Sequence, residues 1–193
     1  MTGLTKSRGP DSKEKERAIR QSKELESDAD FLKSHDLLPG RPFVLRARGA
    51  LYNNAAVRAF AAGDSKNGCR LLLRSADSLE DYGDKMLRKA ESNTGSKRRK
   101  ALIGAFVGFE LAMTACATVA FEDRRSGRQD RTVALLRKAD KVLRSIGTNR
   151  PFLRVLHPVF AFRMSKFSKT IKTLRENKII AQSQGTCLDK TVS

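Results

Sequence analysis

ALIGAFVGFELAMTACATVAF, residues 101–121, is a run of 21 residues in which Glu110 is the only charge. Its length alone allows a bilayer crossing, for which about 20 apolar residues suffice. The basic run Lys97-Arg98-Arg99-Lys100 on its left flank fits that reading. Glu110 near the middle opposes it, because an ionised carboxylate is expensive in hydrocarbon, and so does a composition of Ala, Gly and Thr in place of Leu and Ile. The other reading is a central helix buried on most sides by its neighbours. In it, Gly104, Gly108 and Ala112 at four-residue spacing admit a second backbone at close range. This second reading organises the rest of the chain around 101–121.

Upstream of that segment, Leu72, Ala76, Leu79, Tyr82, Met86 and Ala90 step by four and three residues, which predicts a helix from Ser65 to Ala90 with one buried stripe and Gly83 as a weak point. Gly63 closes an earlier helix, Phe43 to Ala62, whose expected apolar face carries Phe43, Ala47, Ala50, Leu51, Ala55 and Phe60. Pro39, Gly40 and Pro42 make 37–42 a turn. Asp11 or Ser12 caps a first helix running to Ser34, with Ala18, Leu25, Ala29 and Leu32 on one face. Residues 92–100 read as a basic linker.

Downstream, Glu122 to Arg131 is almost wholly charged and reads as a solvated loop or fraying helix ends. A helix over 129–146 then points Val133, Leu136, Leu143 and Ile146 inward, with Arg137, Lys138, Lys141 and Arg144 largely outside. Pro158 opens a last helix in which Phe160, Met164, Phe167, Ile171 and Leu174 form a narrow seam wound by basic residues. That pattern serves equally a packed amphipathic helix and an interfacial membrane helix. No segment alternates as a strand. The expected fold is an all-α multi-helix bundle with helical subdomains at 11–91 and 101–180 and flexible tails at 1–10 and 181–193.

Charge bounds the partner. The chain carries 39 Lys and Arg against 21 Asp and Glu, a formal net charge of +18, which favours a polyanion. Residues 1–95 hold 18 basic and 14 acidic residues and 96–193 hold 21 and 7, so the surplus lies mostly in the second half. The expected contact residues are therefore Lys97, Arg98, Arg99 and Lys100, then Arg124, Arg125, Arg128 and Arg131, then Arg163, Lys166, Lys169, Lys172 and Arg175 of the last helix. The phenylalanines sit on helical stripes, not interleaved on strands, so contact with phosphate backbone or lipid headgroups is expected over base reading. Lys97 to Lys100 also has the composition of a nuclear-import signal.

Other classes find no starting point. Cys69, Cys116 and Cys187 are odd in number and widely spaced, which suggests neither a disulfide framework nor a zinc site. His35 and His157 have no evident catalytic partner, and Cys116 reads as a small core residue. Nucleotide-loop, zinc-peptidase and serine-hydrolase motifs do not occur, so neither enzyme activity nor a cofactor, metal or small-molecule substrate is expected. Met1 is followed by no apolar leader, and neither lipidation pattern is met, so the expected compartment is cytosol or nucleus with peripheral membrane contact.

Gly104-Ala105, then Cys116-Ala117-Thr118 closing an Ala-rich helix, then Arg128 and Arg131, resemble the central helices of the orthomyxovirus matrix proteins. Val57-Arg58-Ala59-Phe60 with Gly63-Asp64, and Ile146-Gly147-Thr148, are similar to two further motifs of that family. These matches cover about a quarter of the chain. The family's compact basic cluster precedes its apolar helix, whereas here Arg70 to Lys89 is of mixed charge and the cationic run stands at Lys97–Lys100. The resemblance implies a multi-helix structural protein that self-associates beneath a viral envelope and binds acidic lipid on one side and ribonucleoprotein on the other. The implied locations are the virion, the host cytoplasm and nucleus, and the inner face of the plasma membrane. The alternative is a nucleocapsid or accessory protein contacting nucleic-acid phosphates directly.

Overall fold

A computed structural model describes residues 12–34, 41–123, 126–146 and Lys169, with 123 and 126–129 defined in backbone alone. Five helices fill the described residues: α1 Ser12–Ser34, α2 Pro42–Ala61, α3 Ser65–Glu91, α4 Gly95–Asp123 and α5 Ser126–Ile146. No strand occurs among them, so the all-α reading holds. The last helix expected from Pro158, and the tails at 1–10 and 181–193, lie outside the described residues.

Side-chain contacts give the direction of each helix. Gly49 abuts Leu79 while Gly68 abuts Phe60, so α2 and α3 run antiparallel. Gly108 sits against Leu79 and Gly104 against Met86, so α3 and α4 do too. Arg131 reaches Asp77 and Lys138 reaches Asp84, which sets α5 parallel to α3. Ser22 Oγ donates to the Ala55 carbonyl at 2.9 Å and fastens α1 to α2. The result is an up-down bundle in which each helix packs on the one before it, the arrangement that short connections impose.

α4 is the axis of the core. Phe106, Phe109 and Met113 are fully buried, as are Ala105, Ala112 and Val119, and one apolar cluster runs without a break from Ala29 of α1 to Ile146 of α5. α4 is also the one helix among the described residues long and apolar enough to cross a membrane, and 78% of its most apolar window is buried inside the protein. Its small residues have the role their spacing suggests. A Cβ at Gly108 would lie 2.8 Å from the Leu79 carbonyl oxygen and 2.9 Å from Gly83 Cα, so the two backbones touch there. Gly83 is part of the same crossing and no weak point, because a Cβ on it would meet the Phe109 ring at 2.7 Å. Glu110 is fully buried beside Thr114, whose hydroxyl donates to the Glu110 carbonyl at 2.9 Å.

Two further expectations need correction. The face of α2 is turned in part: Leu45, Gly49, Tyr52, Ala56 and Ala59 are buried together with the expected Ala55, whereas Phe43 and Ala50 are exposed. Apolar residues stand on both sides of α2, so periodicity alone did not decide which side faces inward. The linker at 92–100 is shorter than expected. Only 92–94 join α3 to α4, Gly95 turns the chain with φ +56°, and Lys97 to Lys100 belong to the first turns of α4, while the apolar cluster continues across the connection. Within the charged stretch 122–131, α4 ends at Asp123 and α5 starts at Ser126, in keeping with the helix-end alternative.

Candidate polyanion-binding end

Five carboxylates, Glu26, Asp30, Asp77, Glu80 and Asp84, tie helices together. Glu26 of α1 takes Arg70 and Arg74 of α3, each at 2.7 Å, and Arg74 also holds Asp30 at 2.9 Å. Tyr52 of α2 donates to Asp30 at 2.5 Å, with the Arg74 guanidinium 4.8 Å above its ring. Burial together with this hydrogen bond pushes the Tyr52 phenol up to about 12. Burial opposes ionisation of Asp30, yet the bond from Tyr52 and the charge of Arg74 outweigh it and hold the carboxyl below its ordinary value.

A second set ties α3 to α5. Arg131 bonds Asp77 at 2.6 Å and Glu80 at 3.0 Å, while Lys138 bonds Glu80 at 2.9 Å and Asp84 at 3.3 Å. Lys138 also lies 5.2 Å over the Phe109 ring. Burial works against the charge of Glu80, and the hydrogen bonds from Lys138 and Arg131 more than offset it, leaving its carboxyl below the ordinary value. Burial likewise works against the charges of Arg131 and Lys138, and their carboxylate partners raise both above the ordinary range. Arg131 is therefore tied to α3 and partly covered, and Lys138 is half-buried instead of facing outward. Sequence spacing could not show this, because the partners are more than 50 residues away.

One end of the bundle is rich in cations. From Lys85 to Lys100 the chain carries seven cations, Lys85, Arg88, Lys89, Lys97, Arg98, Arg99 and Lys100, and one carboxylate, Glu91. The α3–α4 connection folds them onto the same end of the bundle, and Arg88, Lys89 and Lys97 to Lys100 are all exposed. Arg88 and Lys89 were missed from the sequence as contact residues. They occupy the last turn of α3, where cations complement the helix dipole and so attract no notice. Asn93 Nδ2 donates to the Lys89 carbonyl at 2.6 Å and fixes the turn that joins the two clusters.

The α4 half of this end is electrostatically adverse in isolation. A helix N-terminus carries about half a positive charge, and a cation in its first turns costs roughly 0.3–1 kcal/mol. α4 has no acidic residue in its first turn, and four consecutive cations follow Gly95 and Ser96. Consecutive residues stand about 100° apart, so the four spread around the whole helix and cannot be shielded by one neighbour. An anion at this end would relieve both the dipole and the mutual repulsion.

Of the other expected contact residues, Lys169 is helical and exposed. Arg124, Arg125, Arg163, Lys166, Lys172 and Arg175 lie outside the described residues, and Arg128 is defined in backbone alone. Among the described residues no group of three or more His, Cys, Asp or Glu is placed to hold a metal ion. No protein family, curated protein or solved structure matches this chain.

Proposed function

We propose that the chain is a non-enzymatic structural protein of viral matrix type, which self-associates and uses its basic end to bind acidic membrane and ribonucleoprotein. The observation that carries this reading is the α3–α4 end, where Arg88, Lys89 and Lys97 to Lys100 are exposed beside a single carboxylate, Glu91, while Asp77, Glu80 and Asp84 of α3 are paired with α5. Phosphate groups, whether on lipid or on nucleic acid, suit an end with this excess of positive charge. Each Lys or Arg near an anionic membrane surface contributes about 1 kcal/mol. Six exposed cations acting together are therefore enough for salt-sensitive recruitment without a pocket. The burial of most of α4 favours peripheral attachment over insertion.

Flotation with phosphatidylserine vesicles and with neutral vesicles, beside binding to a single-stranded RNA, tests the reading. The expected result is flotation with the acidic vesicles alone, dissolved by salt, together with salt-sensitive RNA binding. Replacement of Lys97, Arg98, Arg99 and Lys100 by alanine weakens both. RNA binding with no acidic-lipid binding moves the chain to the nucleocapsid or accessory class. Retention on membranes through alkaline carbonate overturns the peripheral reading in favour of a spanning α4.

A further inference from the structure

The outer face of α2 is mostly apolar and is not covered by the other described residues. Phe43 is 63% exposed and Val57 56% exposed, and Ala50, Asn54 and Ala61 are exposed with Ala47 half-covered between them. Phe43, Ala47, Ala50, Asn54, Val57 and Ala61 step by 4, 3, 4, 3 and 4, an unbroken coiled-coil seam along the whole helix. This seam lies opposite the face that α2 buries through Leu45, Gly49, Tyr52, Ala56 and Ala59. α4, the other helix with apolar residues all round, is enclosed by the bundle. α2 is apolar on both sides and enclosed on one.

We infer that this face is the contact between two copies of the chain, α2 against α2 in antiparallel register about Tyr52. The inference rests on the self-association part of the proposed function and names its surface. The seam is symmetric in position and complementary in size about residue 52. Antiparallel pairing sets Phe43 opposite Ala61 of the second copy, Val57 opposite Ala47, and Asn54 opposite Ala50, so every large side chain meets a small one. Parallel pairing stacks Phe43 on Phe43 and Ala47 on Ala47, which leaves both a bulge and a void.

Charge agrees with this choice of occupant. α2 carries Arg46, Arg48 and Arg58 and no carboxylate, so like-charge contact is the hazard of any self-pairing. In the antiparallel register the residues flanking the seam meet their own kind of flank: Arg46 meets Phe60 and Arg58 meets Val44, with no arginine opposite another. Arg48 is turned inward, its Nε donating to Ser78 Oγ at 2.9 Å. The antiparallel pair also directs the two basic α3–α4 ends away from each other. At about 1.5 Å per residue, the 20 residues of α2 separate them by about 30 Å, several Debye lengths at physiological salt. A dimer built this way presents one cationic end on each side and bridges two anionic surfaces.

One helix pair buries less than the ~1,600 Å² of a standard interface, so the isolated dimer is weak and is reinforced by alignment on a surface. Sedimentation equilibrium of the full chain, from micromolar to several hundred micromolar and in salt high enough to screen the net charge, is expected to show a reversible monomer–dimer equilibrium. Val57→Glu is expected to weaken it at least tenfold while helical circular dichroism and melting stay unchanged, since Val57 contributes little to the fold. For the register, copies bearing Ala47→Cys are mixed with copies bearing Val57→Cys under mild oxidation, with the unsubstituted chain as the background for Cys69, Cys116 and Cys187. Disulfides between unlike copies are expected over those between like copies. A chain monomeric throughout, a dimer indifferent to Val57→Glu, or Ala47→Cys copies that link to themselves as readily would each overturn the inference. Vesicle binding by the monomeric Val57→Glu variant is measured separately, so failure of the interface and failure of polyanion binding are told apart.

Discussion

Replacing Gly108 by alanine tests the central crossing of the bundle. In an open helix the change stabilises, because alanine exceeds glycine in helix propensity by about 1 kcal/mol. At Gly108 the added Cβ would stand 2.8 Å from the Leu79 carbonyl oxygen and 2.9 Å from both Cα and N of Gly83. These are backbone atoms of α3 and cannot rotate aside, so the helices must separate by roughly 0.5–1 Å, a gap that forfeits a quarter to a half of each contact's dispersion energy. Phe106, Phe109 and Met113, all fully buried, lose contact together. Overpacking of this kind costs about 1–3 kcal/mol, so after the propensity gain a net loss of up to about 2 kcal/mol is expected. For a chain of this size that lowers Tm by up to about 8 °C. Gly104→Ala is the internal comparison. Its Cβ meets Met86 Cε at 2.6 Å and Tyr82 Oη at 3.0 Å, the ends of side chains that can move, so its loss is smaller. Thermal unfolding followed by circular dichroism decides. A Gly108→Ala chain melting at or above the parent, or a larger loss at Gly104, refutes the close crossing.

Other consequences follow from charge. Lys97→Glu with Arg98→Glu puts carboxylates at the positive end of α4, so the free protein should gain about 1 kcal/mol at low salt and melt about 2–4 °C higher while binding acidic vesicles less well; lower stability together with weaker binding contradicts the adverse-cation argument. Asp30 and Glu80 have carboxyls held below their ordinary values of 3.8 and 4.5, so the stability they supply is complete above about pH 4.5 and is lost as pH falls through the lower folded values. Urea unfolding should show this loss, and Glu80→Gln should cost about 1–2 kcal/mol at neutral pH and flatten the acid limb; an unchanged acid limb excludes the α3–α5 tie as its source. The chain has two tyrosines, Tyr52 and Tyr82, and burial first among the causes raises both phenols above 10. Stability from these groups is full below pH 10 and declines as pH climbs through their folded values, so an ultraviolet titration should show no phenolate release centred at pH 10 while the chain stays folded; such release sinks the assigned burial.

The helices were legible because their boundaries are written in local chemistry. Pro42, Gly63 and Gly95 stand at or beside helix ends, and Asp64 caps α3 by accepting from the Asn67 amide at 3.0 Å. The stripe on α3 and the small residues of α4 also gave their packing, because one side of α3 is polar and Gly104 and Gly108 repeat at helical spacing. The face of α2 was not legible: an apolar seam of Phe43 and Val57 is as regular as the buried one, and only the tertiary fit of Gly49 and Ala59 selects between them. The basic end was half legible. Lys97 to Lys100 is visible as a run, whereas Arg88 and Lys89 join it only when 92–94 fold back. The pairing of Arg131 with α3 was not legible, because a cation's carboxylate partner on another helix leaves no trace in spacing.

The most direct test of the account is the salt dependence of RNA binding by the parent chain and by a chain with alanine at Lys97, Arg98, Arg99 and Lys100. Each phosphate neutralised on a single strand contributes about 0.7 to the slope of log K against log salt. The account predicts a slope shallower by about 3 in the alanine variant, with affinity reduced most at low salt and the fold intact. An unchanged slope would contradict it, because the exposed cations of the α3–α4 end would then take no part in holding the polyanion.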